Sequence, residues 1–589
     1  MGFYLSPMVA VNEIDATTTI PAVATSVAVI LLRNAYKGPE MKTTLVTSTN
    51  DLIEKFGMPT NTQECYEDIL SATGFLRYGS ALYCTRVMPV SASFAGTTAT
   101  SGASATFAGY TESELCLDNL VSLDPDEFAS EDVGLVEGTD IFKAIAISRG
   151  AWGNNIKIAV IDKETYDNIR DAASPENTWS IYSAVREIDS PLETDHDFLV
   201  VLYVLDQAGK AYGIKEYFNV STDEDAVDDE GKKRYAETLI NNESKYIRFS
   251  LNSSCKNMPI SVSTSVWQSF SGGCDYNPTL IADPVTAAQM MLALDLYGNA
   301  EEIDVNVFID SNSPLAVKKY LVETIVGTRK DSMAILDCPK ETIIYNRGSE
   351  AQDLSDYRRS SIIGVGDIGA DSTASYVAIY GNWLEVYDKW NGKFRWIPAS
   401  GFVAGIFANT DSVSDPWFAP AGLNRGVLLN VRRLAWNPTK AERDVLYKNG
   451  INPITSFSGQ GKTLWGQKTM LDKESAFNRI NVRRLFLVLE KAISTASKYF
   501  LFEPNDDLTR LLLVNMIDPF LRDVRARRGL YDYMIVCDET NNTAERVDRN
   551  ELWADIYLKA TRSSEYIVLN FVATKTGASF TELIGNYTL

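Results

Sequence analysis

The strongest constraint on the fold is an alternation of helical and strand-like segments that begins at residue 283. "DPVTAAQMMLALDLYGN" (283–299) has a helical pattern and "VNVFID" (305–310) a strand pattern; "SPLAVKKYLVETIVGTR" (313–329) and "SMAILDCP" (332–339) repeat the pair. Strands that alternate with helices of this length are typical of parallel strands joined by crossover helices. The sequence therefore predicts an α/β domain, which continues as mixed strand and helix over 375–460.

The N-terminal part adds further elements of the same kinds. Residues 1–20 read as an extended arm with one short strand, and 23–32 form a buried strand. Helical spacing follows over 50–57 and 65–79, and 81–89 reads as a second strand that ends at a proline.

A change of composition separates these elements from the α/β part. Residues 91–109 are rich in Ser, Thr, Ala and Gly, as in a linker or the edge of an inserted domain. From there to about 280 the pattern is one of short strands and acidic loops. The acidic run 221–233 lacks the residue order of a calcium loop, and we expect a solvated loop there. A chain of 589 residues is also too long for one core, so several domains are expected.

The C-terminal part predicts two long helices and three strands. The helices fall at roughly 483–500 and 507–527, and the strand-like runs at 531–538, 552–560 and 565–574.

Composition excludes some classes of function. The formal net charge of −22 disfavours binding to nucleic acid or to anionic membranes. The longest apolar stretch, "VAVILL" (27–32), is far shorter than a membrane-spanning helix, so no membrane insertion is expected. Seven scattered cysteines without a CxxC pair and the single His196 indicate no zinc site. We expect no metal and no cofactor.

One segment resembles a phosphate-binding loop. "SFSGQGKTLWGQKTM" (456–470) contains Gly461-Lys462-Thr463, but Ser456 stands where the first glycine of the motif belongs. Gly466 interrupts the helix that must follow and hold the phosphate. We therefore expect a glycine-rich turn, and a nucleotide-binding enzyme that uses 456–470 stands as the alternative.

A second glycine pattern, "GVGDIG" (364–369), is a GxGxxG, but the polar residues that follow do not read as the required helix. It is interpreted as a loop. No nucleophile elbow, HExxH motif or other catalytic set occurs, so no catalytic residue is assigned and the chain is not expected to be an enzyme.

Basic residues concentrate in "FLRDVRARRGLYDY" (520–533). Arg522, Arg525 and Arg528 are three residues apart and so lie on adjoining parts of one predicted helical face. Two interpretations stand: a solvated helix end whose cations complement the dipole, or a helix that docks on an acidic protein surface.

Several stretches together resemble the sheath proteins of contractile phage tails and related injection machines, most closely the larger sheaths of myovirus type. They occur in family order through the chain: "LSPMVAVNEID" (5–15), 56–87, "RGAWGNNIKIAV" (149–160), "DPWFAPAGLNRG" (415–426), "LWGQKTM" (464–470), 481–493, "FEPND" (502–506), 527–543 and 562–583. The resemblance fades over about 90–280.

The resemblance implies a structural virion protein. Sheath subunits stack as hexameric rings around a tail tube and contract to drive the tube through the host envelope, without ATP. Terminal arms add strands to neighbouring subunits, which assigns arm strands to Val9, Val11, Glu13, Ile567, Leu569 and Phe571. It also makes Arg522, Arg525 and Arg528 candidates for contact with the tube.

The resemblance further implies an architecture and partners. We expect a multidomain α+β protein: an N-terminal arm (1–20), a mixed α/β middle domain (21–95 plus 280–460), a β-rich inserted outer part (96–279) and a C-terminal α+β domain with its arm (461–589). The implied partners are further copies of the chain, the tube protein, and the baseplate and terminator proteins. The implied location is the virion tail, after assembly in the host cytoplasm; a sheath of a non-phage injection system is the alternative.

Overall fold

The computed structural model describes residues 26–100, 106–109, 140–171, 188, 192–207, 209–211, 213–228, 230–262, 267–275, 285–362 and 372–569. In these ranges the chain has a mixed α+β architecture with several sheets, which confirms the predicted fold class. The predicted loop 364–369 lies outside the described residues.

The strands, in chain order, are β1 (Val27–Arg33), β2 (Thr44–Val46), β3 (Ala81–Val87), β4 (Gly96–Thr100), β5 (Thr106–Gly109), β6 (Asp140–Ala146), β7 (Ile156–Asp162), β8 (Asp197–Val204), β9 (Glu216–Ser221), β10 (Ile247–Leu251), β11 (Gln268–Ser269), β12 (Val307–Ile309), β13 (Met333–Asp337), β14 (Val377–Tyr380), β15 (Trp383–Asp388), β16 (Lys393–Pro398), β17 (Val427–Leu428), β18 (Val431–Leu434), β19 (Ile451–Asn452), β20 (Ile454–Phe457), β21 (Gly461–Leu464), β22 (Leu530–Val536) and β23 (Asp555–Ala560).

The helices are α1 (Thr49–Phe56), α2 (Gln63–Phe75), α3 (Lys163–Asp171), α4 (Ala236–Glu243), α5 (Ala287–Asp295), α6 (Leu315–Tyr320), α7 (Glu350–Asp356), α8 (Ser400–Val413), α9 (Lys440–Lys448), α10 (Ile480–Ser497), α11 (Asp507–Ala526) and α12 (Ala544–Asp548). Helix α6 continues through a π-helical stretch, Leu321–Val326, into Gly327–Arg329. Helix α7 continues into a second π-helical stretch, Tyr357–Ile362.

The predicted parallel strands form one large sheet. Its order is β19-β14-β13-β12-β1-β3-β2, and every neighbouring pair is parallel except β2 with β3. The prediction of parallel strands joined by helices is confirmed. Strand β1 has β3 on one side and β12 on the other, so the chain order reverses between β1 and β12. In open α/β sheets such a point, at the carboxyl ends of the strands, leaves a crevice.

Helices cover both faces of this sheet. Val29 and Leu31 of β1 lie beside Leu294 of α5 and Val317 of α6. The alternate residues of β1 point to the opposite face, where α2 packs on β1 and α8 packs on α2. This arrangement buries β1 on both faces, as expected for a central parallel strand.

Two antiparallel sheets lie between β3 and α5 in the chain. Their orders are β10-β6-β4-β5 and β11-β7-β8-β9. They share one core, in which Phe249 of β10 stacks on Phe142 of β6 with ring centroids 4.8 Å apart and lies 6.4 Å from Phe198 of β8. The segment 96–279 is thus β-rich where it is described. Its limits, like the other domain boundaries drawn from the sequence, stay predictions.

The chain divides into two compact units, between Phe502 and Glu503. The first contains the sheets described above, a sheet of order β16-β15-β18 and another of order β17-β21-β20; the second contains α11, α12 and the pair β22-β23. No helix among the residues that the structure describes is long and apolar enough to span a membrane.

Candidate assembly surfaces

The Gly-Lys-Thr segment is part of a β-hairpin. Strand β21 begins at Gly461 and pairs antiparallel with β20, so that Ser456 lies opposite Lys462 and Thr455 opposite Thr463. Thr463 also pairs with Val427 of β17. A phosphate-binding loop needs a helix after its Lys-Thr pair, but here Lys462 and Thr463 lie within β21 and residues 465–467 after it are not helical. The predicted glycine-rich turn is confirmed, and the geometry gives no support to a nucleotide site at 456–470.

The residues after this hairpin attach the chain to the edge of the large sheet. Asn452 of β19 accepts a hydrogen bond from the Lys468 backbone N–H and donates to the Lys468 carbonyl, both at 2.7 Å. The Lys468 ammonium donates to the Tyr447 carbonyl at 2.8 Å and lies 4.4 Å from the centre of its ring. A Cβ atom at Gly466 would be 2.8 Å from Asn452 Oδ1. The segment "LWGQKTM" therefore has a structural role, since it packs against β19 and the end of α9.

The segment "RGAWGNN" (149–155) joins the antiparallel sheets to the end of β3. Arg149 forms a buried ion pair with Glu40 and donates to the Val90 carbonyl at 3.2 Å. Gly150 has φ 125°, and a Cβ atom there would be 2.9 Å from the Arg86 guanidinium. Arg86, fully buried, donates to backbone carbonyls that include that of Ala35 at 2.9 Å. These contacts give the motif a structural role at this junction.

A crevice of about 660 Å³ lies at the carboxyl ends of β1 and β12, where the sheet order reverses. Arg33 at the end of β1 forms a buried ion pair with Asp68 of α2, at 2.6 Å, and donates to the Ser311 carbonyl, also at 2.6 Å. Lys318 of α6 lies 3.2 Å from Asp310 and donates to the Asp337 carbonyl at 2.6 Å. Each of these two cations is thus paired with a carboxylate.

Two carboxyl groups beside these ion pairs have raised pKa values. Burial raises the pKa of Glu67, which lines the crevice, to about 7. Burial and the neighbouring charge of Asp310 raise the pKa of Asp337 above its ordinary value. Among the described residues no group of three or more His, Cys, Asp or Glu side chains is placed to hold a metal ion.

The sequence did not single out these carboxylates. A signal was present, because Asp310 and Asp337 each directly end an apolar strand, "VFID" and "AILD". The carboxyl ends of neighbouring parallel strands meet at one edge of a sheet.

Helix α11 carries two of the three arginines predicted to lie on one face. Arg522 is exposed and pairs with Asp518 one turn earlier at 2.5 Å, and Arg525 lies 3.6 Å from Asp532. Arg528 lies beyond the helix end at Ala526, so its predicted place on that helical face is wrong.

The reason is the way the helix terminates. Arg528 has φ 67° and donates its N–H to the Arg525 carbonyl, while the Gly529 N–H donates to the Val524 carbonyl at 2.8 Å. This pair of bonds is the Schellman motif, with arginine in the left-handed position that glycine usually takes. Whether any of the three arginines contacts a partner stays a prediction.

The second unit exposes strand edges and an apolar segment. In the part of the chain that the structure describes, β22 and β23 pair only with each other. After β23, residues 561–569 are in no helix or strand, and Tyr566, Ile567, Val568 and Leu569 are between 71% and 82% exposed. The strand predicted over 565–574 is thus not formed in its described part. Val9, Val11, Glu13 and Phe571 lie outside the described residues.

Two domains of a single family match the chain. Residues 284–470 match the phage tail sheath protein central domain, and residues 472–574 match the phage tail sheath C-terminal domain. These ranges contain β12, β13, β14 and β19 of the large parallel sheet and most of the second unit. Residues 284–574 belong to the phage tail sheath family.

Curated relatives point to the same family. The chain is 41% identical over 327 residues to the tail sheath protein of Vibrio phage KVP40, a match that covers 54% of this chain and 48% of the relative. It is 41% identical over 308 residues to the tail sheath protein of Enterobacteria phage T4, which covers 51% and 47%. The chain spans about half the length of the curated relatives it matches.

A solved structure shares the fold over most of the chain. The sheath tail protein of Listeria innocua superposes with a TM-score of 0.52 at 13% identity, covering 92% of this chain and 97% of that one. At this identity the likeness concerns the fold.

Proposed function

We propose that the chain is the subunit of a contractile tail sheath. It stacks as hexameric rings around a tail tube and contracts to drive the tube through the host cell envelope. The observation that carries the proposal is the match of residues 284–574 to the central and C-terminal domains of the sheath family. The function is mechanical, and the chain is not an enzyme. The same subunit could serve a non-phage contractile injection system, which is the second candidate.

Strand exchange between copies links the subunits. The exposed apolar segment 566–569 and the two-stranded sheet β22-β23 support this step, since a strand edge can accept an extended segment through backbone hydrogen bonds. At roughly 0.5–1.5 kcal/mol for each hydrogen bond, a five-residue strand contributes only a few kcal/mol. Repetition around each ring makes the linked mesh far stronger than one contact. Val9, Val11 and Glu13 of the N-terminal arm, and Ile567, Leu569 and Phe571 of the C-terminal arm, are the proposed linking residues.

Contact with the tube is electrostatic. Arg522 and Arg525 are exposed on α11 and Arg528 follows it, so all three can face acidic residues of a tube. Exposed ion pairs contribute about 0–1 kcal/mol each, which lets them break during contraction.

No ATP is used, because the energy is stored when the sheath assembles. Baseplate and terminator proteins contact the two ends of the sheath. The protein is located in the virion tail after assembly in the host cytoplasm.

Electron microscopy of the purified chain tests the proposal. Negative staining should show tubular polymers formed by the chain alone. A variant truncated after Arg562 removes the exposed segment and should leave the subunit folded but unpolymerised. A wild-type chain that stays monodisperse at high concentration contradicts the proposal. Tight ATP binding that Lys462→Ala abolishes would favour the enzyme instead.

A further inference from the structure

One face of the sheet β16-β15-β18 carries aromatic and arginine side chains outward. Tyr387 lies opposite Phe394, and Glu385 lies opposite Trp396 on one side and Arg433 on the other. Directly opposed residues of antiparallel strands share a face, as do residues two apart in one strand. Tyr387 is 52% and Phe394 49% exposed, with ring centroids 5.2 Å apart. These side chains therefore form a continuous outward surface.

A bulge adds a second arginine to this surface. The pairing of β15 with β18 shifts register after Glu385, which makes Arg432 the extra residue of β18. Arg433 donates two hydrogen bonds to the Glu385 carboxylate, at 2.8 and 2.9 Å, and Arg432 approaches it to 3.6 Å. The guanidinium of Arg432 lies 4.1 Å from the centre of the Phe394 ring, and that of Arg433 lies 5.1 Å from Trp396. Both arginines are thus held in place before any partner arrives.

The resulting surface has the make-up of a binding interface. The side chains of Arg432 and Arg433 stay 57% and 63% exposed, while Glu385 beneath them is only 7% exposed. Two cations over one carboxylate leave the surface positive, although the whole chain has a net charge of −22. Tyrosine, tryptophan and arginine are the residues most enriched where protein interfaces bind tightly. A surface of this composition is expected to bind an acidic protein segment.

A second copy of the chain offers such a segment. The turn 223–228 follows β9 and contains four carboxylates within six residues, one of which, Glu224, pairs with Lys256 at 2.9 Å. Asp225 and Glu224 are exposed, and Val227 between the acids is 53% exposed. The Asp225 N–H donates to Asp223 Oδ1 at 3.0 Å, which shapes the turn. An apolar tip flanked by carboxylates complements an aromatic surface flanked by arginines.

We propose that the aromatic–arginine face, formed by Tyr387, Phe394, Trp396, Arg432 and Arg433, binds the acidic turn 223–228 of a second copy of this chain. The inference rests on the proposed function insofar as that function brings copies together. It adds a contact that is separate from strand exchange by the terminal arms.

Cross-linking between copies tests the contact directly. Tyr387→Cys and Val227→Cys are made as separate single variants, mixed during assembly and oxidised. A covalent dimer should form in the mixture and in neither variant alone. The matched control replaces Tyr387→Cys by Leu292→Cys, a residue of α5 that is 59% exposed. The proposed contact is absent if wild-type chains assemble but the Tyr387→Cys mixture and the Leu292→Cys control mixture give equal amounts of covalent dimer. If wild-type chains do not assemble at all, the proposed function fails, and this inference with it.

A charge exchange supplies an independent measurement. Arg432→Glu should raise the concentration needed for assembly about tenfold, since a central interface arginine commonly contributes that much. Arg433 is left in place so that Glu385 keeps a partner. Asp225→Lys alone should weaken assembly similarly, and the double variant should recover most of it. Assembly of the double variant that is no better than that of either single variant overturns the pairing.

Discussion

Gly401 of α8 lies directly against the carbonyl oxygen of Ser71 in α2, and a Cβ atom at Gly401 would be 2.3 Å from that oxygen. The same crossing brings Gly405 to the Gly74 carbonyl, where a Cβ atom would be at 2.8 Å. Both neighbours are backbone atoms, which cannot rotate away. Gly401→Ala should therefore push the two helices apart and destabilise the protein by about 1–3 kcal/mol, the usual cost of overpacking. Thermal unfolding followed by circular dichroism would show a lower midpoint.

The matched control for this prediction is Ser412→Ala, at an exposed position of the same helix. It should leave the midpoint nearly unchanged. Equal midpoints for Gly401→Ala and the wild type would mean that the helices separate without cost, contrary to the close crossing.

Glu67 should make stability depend on pH. Glu67 is 1% exposed, and burial raises the pKa of its carboxyl group from an ordinary 4.5 to about 7. The folded protein therefore holds this proton more tightly than the unfolded chain, so the contribution of Glu67 is most favourable below pH 4.5 and is lost as pH rises through 7. Glu67→Gln should stabilise the protein at pH 8 by up to about 3 kcal/mol, and the difference should vanish near pH 4.5.

Thermal unfolding midpoints of wild type and Glu67→Gln between pH 4.5 and 8 measure this effect. Other groups with a raised pKa, including Asp337, contribute equally to both proteins. Glu474→Gln, at an exposed carboxylate, is the control and should track the wild type. A constant difference between Glu67→Gln and wild type across the range would rule out the expected titration.

The sequence predicted the individual helices and strands of this fold better than it predicted which of them pack against each other. The helical and strand patterns over 283–339 were correct because each depends on residues close together in the chain. Arg33 and Asp68, in contrast, meet Ser311 across more than 240 residues. No periodicity carries that information, since the order of strands in a sheet is set by tertiary packing. The sequence therefore indicated a parallel sheet, but it did not indicate the crevice at the carboxyl ends of β1 and β12.

Local geometry was missed where it breaks the regular period. The spacing of Arg522, Arg525 and Arg528 assumes an unbroken helix, but the helix ends at Ala526. Likewise, neighbouring strand residues normally face opposite sides, yet the bulge in β18 turns Arg432 and Arg433 to the same carboxylate. Bulges and helix ends depend on a few backbone angles that residue type constrains weakly.

Replacement of Arg528 by glycine should stabilise the folded second unit. Its φ of 67° places a side chain in the left-handed region, at a cost of about 1 kcal/mol that glycine avoids. Arg528→Gly should therefore raise the unfolding midpoint of the second unit, whereas a helix that continued through 528 would be weakened by glycine. Arg527→Gly, at the preceding position with φ −84°, is the control and should lower the midpoint.

The positive charges at the end of α11 should be required for co-assembly with a tail tube but not for polymerisation of the sheath itself. Reversal of Arg522, Arg525 and Arg528 to glutamate should leave polymerisation of the chain intact and abolish co-assembly with tail tubes, because exposed ion pairs across that contact would become repulsive. Electron microscopy of mixtures with purified tubes distinguishes sheathed from bare tubes. Arg549→Glu, a similarly exposed arginine of the same unit, is the control. Arg528→Gly shows separately whether the arginine outside the helix takes part, and tubes sheathed normally by the triple variant would exclude this surface as the tube contact.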